Sequence, residues 1–159
     1  MTEKEIFNHL FEIASQSKDT DGVVTSCLVR DGEIIMDGVS AGVEHAEFIL
    51  LQKLTSAGIE IHPTDTLYVT LQPCDRRSRG PGELLGDCTT NVTNAGIKNV
   101  VYAATYPKSE KSLERFAEAE ISVRQCEDIG IVKRAVEFFN STNKDGSKHI
   151  PAPNEKSSL

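Results

Sequence analysis

The sequence predicts a single α/β domain in which a mixed β-sheet lies between layers of helix. Three observations predict it. The order of periodic segments is a helix, a hairpin, and then three strand–helix repeats, an alternation that builds a layered α/β fold. The segment Asn99 to Thr105 is apolar almost throughout, as in a strand covered on both faces. The chain has 159 residues, 38% of them hydrophobic, which is enough for one continuous core.

Each element has a local cause. Thr2 with Glu5 three positions on is a capping box, and Ile6, Leu10, Ile13 and Ala14 follow at helical spacing. Lys18 to Gly22 is a polar turn. Val23 to Val29 and Glu33 to Val39 read as strands joined by Asp31-Gly32, a strong hairpin signal. His45 opens a second helix that runs through Leu54 and stops at Gly58. Thr66 to Leu71 is a third strand, ending at Pro73-Cys74, and Asp75 to Asp87 is a loop rich in Gly and Arg. Thr89 to Ala95 reads as a short helix and Asn99 to Thr105 as a strand. Ser112 to Glu120, Ile121 to Gln125 and Ile129 to Phe139 complete the pattern as helix, strand and helix. Residues 1–142 are thus read as one domain. Residues 143–159 are polar, carry Pro151 and Pro153, and are expected to form a loose tail.

Composition narrows the function. No apolar run approaches the roughly 18 residues of a membrane span, and the polar start, Thr2 to Glu5, is unlike a secretory signal. The cytoplasm is the expected compartment, so Cys27, Cys74, Cys88 and Cys126 are expected to serve metal, catalysis or packing rather than disulfides. A formal charge of -7, no Trp and 6% aromatic residues speak against a nucleic-acid partner.

The chemistry concentrates in a few positions. His45, at a helix start, has Glu47 less than a turn away. Cys74 follows an apolar strand, and Cys88 follows the glycine-bearing loop. One imidazole and two thiolates form a normal three-ligand zinc set, leaving a fourth position for water, whose pKa the metal lowers toward 7. Glu47 is then placed as the proton carrier. Singly, each cysteine reads as a buried core residue rather than a ligand; the ordered combination with His45 and Glu47 reverses this and points to zinc. Cys27 and Cys126 have no partner motif and read as core, while His9, His62 and His149 read as solvated.

His45-Ala46-Glu47, the run Leu67 to Cys74, then Cys88, Ala95-Gly96-Ile97 and Asn99 to Ala103 together resemble the cytidine deaminase-like superfamily of zinc-dependent nucleobase deaminases. The resemblance implies a three-layer α/β/α fold with a mixed, mostly five-stranded sheet, and one Zn2+ per chain. It implies hydrolytic removal of an exocyclic amine from a small nitrogen heterocycle (pyrimidine, purine or pterin-like), with release of ammonia. It also implies a homodimer or homotetramer. Thirteen residues separate Cys74 from Cys88. Transfer-RNA and deoxycytidylate deaminases usually have two, so the riboflavin-biosynthesis deaminases, with a longer glycine-bearing spacer, are nearest. That makes a diaminopyrimidine phosphate one candidate substrate. A transfer-RNA-type base deaminase and a non-catalytic zinc-stabilised binding module are the alternatives, and retention of Glu47 speaks against the second. Gln72 stands where Glu is common in the superfamily.

Substrate contacts are expected from Ala46, Pro73, Asp21 and Thr25, and from Arg76, Arg77 and Arg79 as a cluster at the mouth of the site. Arg forks suit phosphate or carboxylate. The same arginines could equally be a solvated face or pair with Glu83 and Asp87, and Asp21 could be a turn cap.

Overall fold

A computed structural model describes residues 1–77, 80 and 82–153. Helix α1 spans Glu3–Ala14 behind the Thr2/Glu5 capping box and buries Ile6, Phe7, Leu10 and Phe11. Strands β1 (Thr25–Arg30) and β2 (Glu33–Val39) form an antiparallel hairpin. Asp31 and Gly32 both take positive φ (51° and 76°), as a tight two-residue turn requires. Helix α2 covers Ala46–Ser56, strand β3 Thr66–Leu71, helix α3 Cys88–Asn94 and strand β4 Asn99–Ala104. Helix α4 (Ser112–Glu118), strand β5 (Ser122–Gln125) and helix α5 (Ile129–Ser141) follow.

The sheet order is β2-β1-β3-β4-β5. β3 runs antiparallel to β1, and β4 and β5 run parallel to β3, so the sheet is mixed and five-stranded, as expected. Its two faces carry separate cores. Cys27, Val29, Val101 and Ala103 face α1 and α5, whereas Leu28, Leu67 and Val100 pack with Leu50, Leu54 and Phe116 on the opposite face. Successive strand side chains point to opposite sides, so near-continuous apolar strands are what three layers require. Among the described residues no helix is long and apolar enough to cross a membrane.

The first strand begins later than the expected Val23. Gly22 N and Val23 N donate to the carbonyl and hydroxyl of Thr142, so these residues join the end of α5 instead of the sheet. A larger difference concerns residues 143–153 of the segment expected to be loose, residues 154–159 lying outside the described residues. Asn143 is buried and bridges Asp21, and Ile150, 3% exposed, lies in the core with α1 and α5. The cause is a side chain acting as backbone: Asn140 accepts from Ile150 N at 2.8 Å and donates to Ile150 O at 2.9 Å. That pairing seats the one large apolar residue of a largely polar described stretch, 143–153.

Candidate active site

Three chain segments, distant in sequence, bring His45, Cys74 and Cys88 together. His45 is the N-cap residue of α2 in extended conformation, and its side chain makes no cap hydrogen bond among the described residues. Its ring is therefore available elsewhere. Cys74 lies just past β3, at the carboxyl end of a strand, where sheets of this kind bind ligands. Cys88 opens α3, whose cap is Asp87, accepting from Thr90 N at 2.8 Å. His45 Nδ1 stands 3.3 Å from Cys88 Sγ and 3.6 Å from Cys74 Sγ, and the three donor atoms all lie within 4.8 Å of one another.

These separations fit zinc. Bond lengths of about 2.3 Å to sulfur and about 2.0 Å to nitrogen in tetrahedral geometry put ligand atoms about 3.6–3.8 Å apart. The two thiols share one hydrogen bond. The Cys74 thiol is lowered to about 5, first by a hydrogen bond from Cys88, against the opposing effect of burial, with His45 adding to the lowering. Cys88 is raised by that same hydrogen bond and by burial. Cys88 N also donates to Cys74 Sγ at 3.3 Å.

Glu47, in the first turn of α2, is 3% exposed, and burial raises its carboxyl above the ordinary value; His45 opposes this and Cys74 adds to it. Its Oε1 is buried without a hydrogen-bond partner among the described residues. An orphaned buried carboxylate oxygen is costly, and such groups concentrate where a ligand completes them.

His45 and Cys74 line a cavity of about 80 Å3 whose walls include Ser40, Glu47, Leu71, Gln72, Tyr106 and Phe139, while Cys88 is buried behind them. The cavity continues outward into a chamber of about 300 Å3 bordered by Arg76, Arg77, Lys108 and Lys148. Tyr106 and Phe139 line both, with ring centroids 6.0 Å apart in an edge-to-face pair. Three buried side-chain atoms lack partners among the described residues, on Glu47, Arg77 and Asn143, and all three residues border these two chambers.

The remaining expected site residues separate. Asp21 lines both chambers. Ala46 and Pro73 are buried beside the ligands and line neither chamber; the Ala46 carbonyl accepts from Ser26 Oγ at 3.1 Å. Thr25 is corrected to a core residue: it is fully buried, and its hydroxyl donates to the Leu10 carbonyl at 3.0 Å, tying β1 to α1. Arg76 is half exposed with one long contact, 3.5 Å, to Asp75. Arg77 donates to main-chain carbonyls. Arg79 lies outside the described residues. Asp87 pairs with Arg115 at 3.2 Å, so it is not taken up by Arg76 or Arg77.

Sequence reasoning missed Tyr106, Phe139 and Lys148. Tyr106 alone carried a signal, an aromatic residue just beyond the carboxyl end of a parallel strand.

A mixed five-stranded sheet between helices, with a His/Cys/Cys cluster and a buried glutamate at its strand ends, defines the class of zinc-site α/β proteins. Residues 1–104 match the family described as the cytidine and deoxycytidylate deaminase zinc-binding region, and the chain belongs to that family. Riboflavin biosynthesis protein PYRD, chloroplastic, of Zea mays is 36% identical over 122 residues, covering 74% of this chain and 29% of that protein. Riboflavin biosynthesis protein RibD of Aquifex aeolicus is 37% identical over 122 residues, covering 74% and 31%. The chain thus spans under a third of the length of these two relatives.

Among solved structures, the diaminohydroxyphosphoribosylaminopyrimidine deaminase/5-amino-6-(5-phosphoribosylamino)uracil reductase of Thermotoga maritima superposes with a TM-score of 0.67 at 27% identity, over 88% of this chain and 42% of that one. The Rib2 deaminase of Aspergillus oryzae superposes with a TM-score of 0.72 at 18% identity, over 99% and 100%, a likeness of fold.

Proposed function

We propose that this chain is a zinc-dependent hydrolytic deaminase of a small aminopyrimidine, with a diaminopyrimidine phosphate of riboflavin biosynthesis as the leading substrate. The single observation that carries the reading is the buried Glu47 oxygen, without a partner among the described residues, beside the His45/Cys74/Cys88 cluster at a small chamber. The zinc-binding family match and the riboflavin-pathway names of the relatives support it.

In this reading His45 Nδ1, Cys74 Sγ and Cys88 Sγ hold one zinc per chain. Zinc bound there supplies the Lewis acidity that makes water a competent nucleophile near neutral pH. Glu47 moves the protons. Its carboxylate takes one from the attacking water and passes it to the ring nitrogen, then carries the next to the departing amine, so that water and the amino heterocycle become the oxo heterocycle and ammonia. A carboxyl whose pKa burial has raised suits both halves of that task. The Tyr106–Phe139 pair offers a planar ring an apolar wall and keeps bulk water out. Asp21 borders the same ring space. Arg76, at the outer chamber, takes an anionic group remote from the amine.

The inner chamber and the overall charge of -7 favour a small molecule over nucleic acid. Four free cysteines suit a reducing, cytoplasmic compartment. Superfamily resemblance supports a homodimer or homotetramer. The test is metal analysis with an ammonia-release screen over aminopyrimidines, each with and without a ribosyl phosphate. The proposal expects zinc and turnover of an aminopyrimidine; zinc without ammonia release from any of them contradicts it.

A further inference from the structure

One side chain outside the ligand set, on the segment that follows Cys74, bonds to both of the other segments that deliver ligands. Arg77 lies three residues after Cys74. Its Nε donates to the Gly86 carbonyl at 2.9 Å, and its Nη1 donates to the Val43 carbonyl at 2.8 Å. Gly86 stands two residues before Cys88, and Val43 two residues before His45. A single guanidinium therefore links segments that are 34 and 9 positions away along the chain. Both bonds end on main-chain oxygen, so they locate backbone, and each turn then carries its ligand at a fixed short offset.

The surroundings are shaped to this contact. A Cβ at Gly82 would stand 3.1 Å from Arg77 Nη1 and 3.1 Å from Val43 Cβ, tighter than ordinary packing. The loop passes over the guanidinium closely because residue 82 has no side chain. A planar fork with N–H groups in fixed directions reaches two carbonyls at once; an ammonium on a flexible stem does not hold that geometry.

We propose that Arg77 is a positioning residue for the metal ligands, stapling the His45, Cys74 and Cys88 turns into the separation a tetrahedral ion needs. The proposal rests on the reading of those three residues as the zinc site. It gives a role to an arginine that sequence alone grouped with Arg76 and Arg79 as either an anion clamp or a solvated face. Its Nη2 has no partner among the described residues, so anion contact is the rival role, and the experiment separates the two.

Zinc affinity of the full chain is measured by competition with a chromogenic chelator, without any substrate. The proteins are wild type, Arg77→Ala, Arg77→Gln, Arg77→Lys and, as the ligand control, Cys88→Ser. Circular dichroism and thermal unfolding are recorded on each metal-free protein. The staple predicts that the three Arg77 variants fold without metal as wild type does and bind zinc roughly 10- to 100-fold more weakly, the usual cost of losing a group that orients a ligand. Lysine should do no better than glutamine, because the fork and not the charge is used. Unchanged zinc affinity in Arg77→Ala overturns the staple and favours the clamp. So does full recovery by Arg77→Lys. Unfolding of all three metal-free variants overturns it as well, since Arg77 would then hold the domain and not the site. Should Cys88→Ser bind zinc like wild type, the zinc-site reading itself fails, an outcome distinct from failure of the staple alone.

Discussion

The side-chain amide of Gln72 donates to the hydroxyl of Ser112 across 2.7 Å, joining the end of β3 to the first turn of α4. The same Nε2 donates to the Ser109 carbonyl at 3.0 Å, and Gln72 Oε1 accepts from Tyr106 N at 3.4 Å. One amide thus holds the loop that presents Tyr106 to the chamber, with Ser109 and Ser112 both fully buried. Gln72→Glu places carboxylate oxygen against the Ser109 carbonyl. It should raise KM through displacement of Tyr106, with kcat and zinc content little changed. In a double-mutant cycle with Tyr106→Ala the two effects should be non-additive, since both remove the same wall; additivity would separate Gln72 from Tyr106.

Among the described residues Arg76 has one long contact, to Asp75, and it borders the outer chamber. Arg76→Ala should weaken a phosphorylated substrate by roughly 1.5–3 kcal/mol, the worth of a charge-assisted hydrogen bond. An unphosphorylated analogue should be scarcely affected, and added salt should weaken only the charged compound. Equal losses for both compounds would remove Arg76 from anion recognition.

Asp65 is fully buried and accepts from Arg30 Nε and Nη2, both at 2.8 Å, and from His62 N at 2.7 Å. The Arg30 hydrogen bond, ahead of the opposing effect of burial, holds its carboxyl below the usual value of 3.8. A depressed carboxylate stabilises the fold above its unfolded-state pKa, and that contribution disappears as pH falls through the folded value. Asp65→Asn should lower stability at pH 7, because the amide cannot accept both Arg30 hydrogen bonds. Its stability should also change less than wild type between about pH 5 and pH 2. Urea unfolding of both metal-free proteins across that range checks this, and parallel profiles would contradict it.

Ile150→Ala should destabilise the domain by about 2–4 kcal/mol, the cost of truncating a core aliphatic residue. A loose tail would lose nothing measurable. Thermal unfolding distinguishes the two outcomes directly.

How much was legible in the sequence follows from which forces are local. Strand β3 reads from Thr66 to Leu71 in the sequence and in the structure alike, because alternation and the flanking turns are written in neighbouring residues. The His45, Glu47, Cys74 and Cys88 constellation was legible because metal chemistry restricts residue types so strongly. Arg77 was ambiguous, since its partners are main-chain carbonyls, and carbonyls carry no sequence identity. Ile150 was hidden for a related reason: one large apolar residue in a largely polar stretch is seated by Asn140, a pairing that forms only once α5 is in place. Thr25 misled because a hydroxyl at a strand entrance suits a substrate as well as it suits the Leu10 carbonyl. Tyr106 and Phe139 meet only through the packing of α5 beside β4.

The central claim is that Glu47 moves protons beside a zinc it does not bind. Glu47→Gln keeps the size of the side chain and removes only its capacity to carry a proton. Zinc content and single-turnover ammonia release are measured on the same preparation of that variant, with an aminopyrimidine that wild type deaminates. The account predicts wild-type zinc with turnover reduced by at least 10²- to 10⁴-fold, the contribution of a positioned acid–base group. Ammonia release close to wild type from the zinc-loaded variant would contradict it.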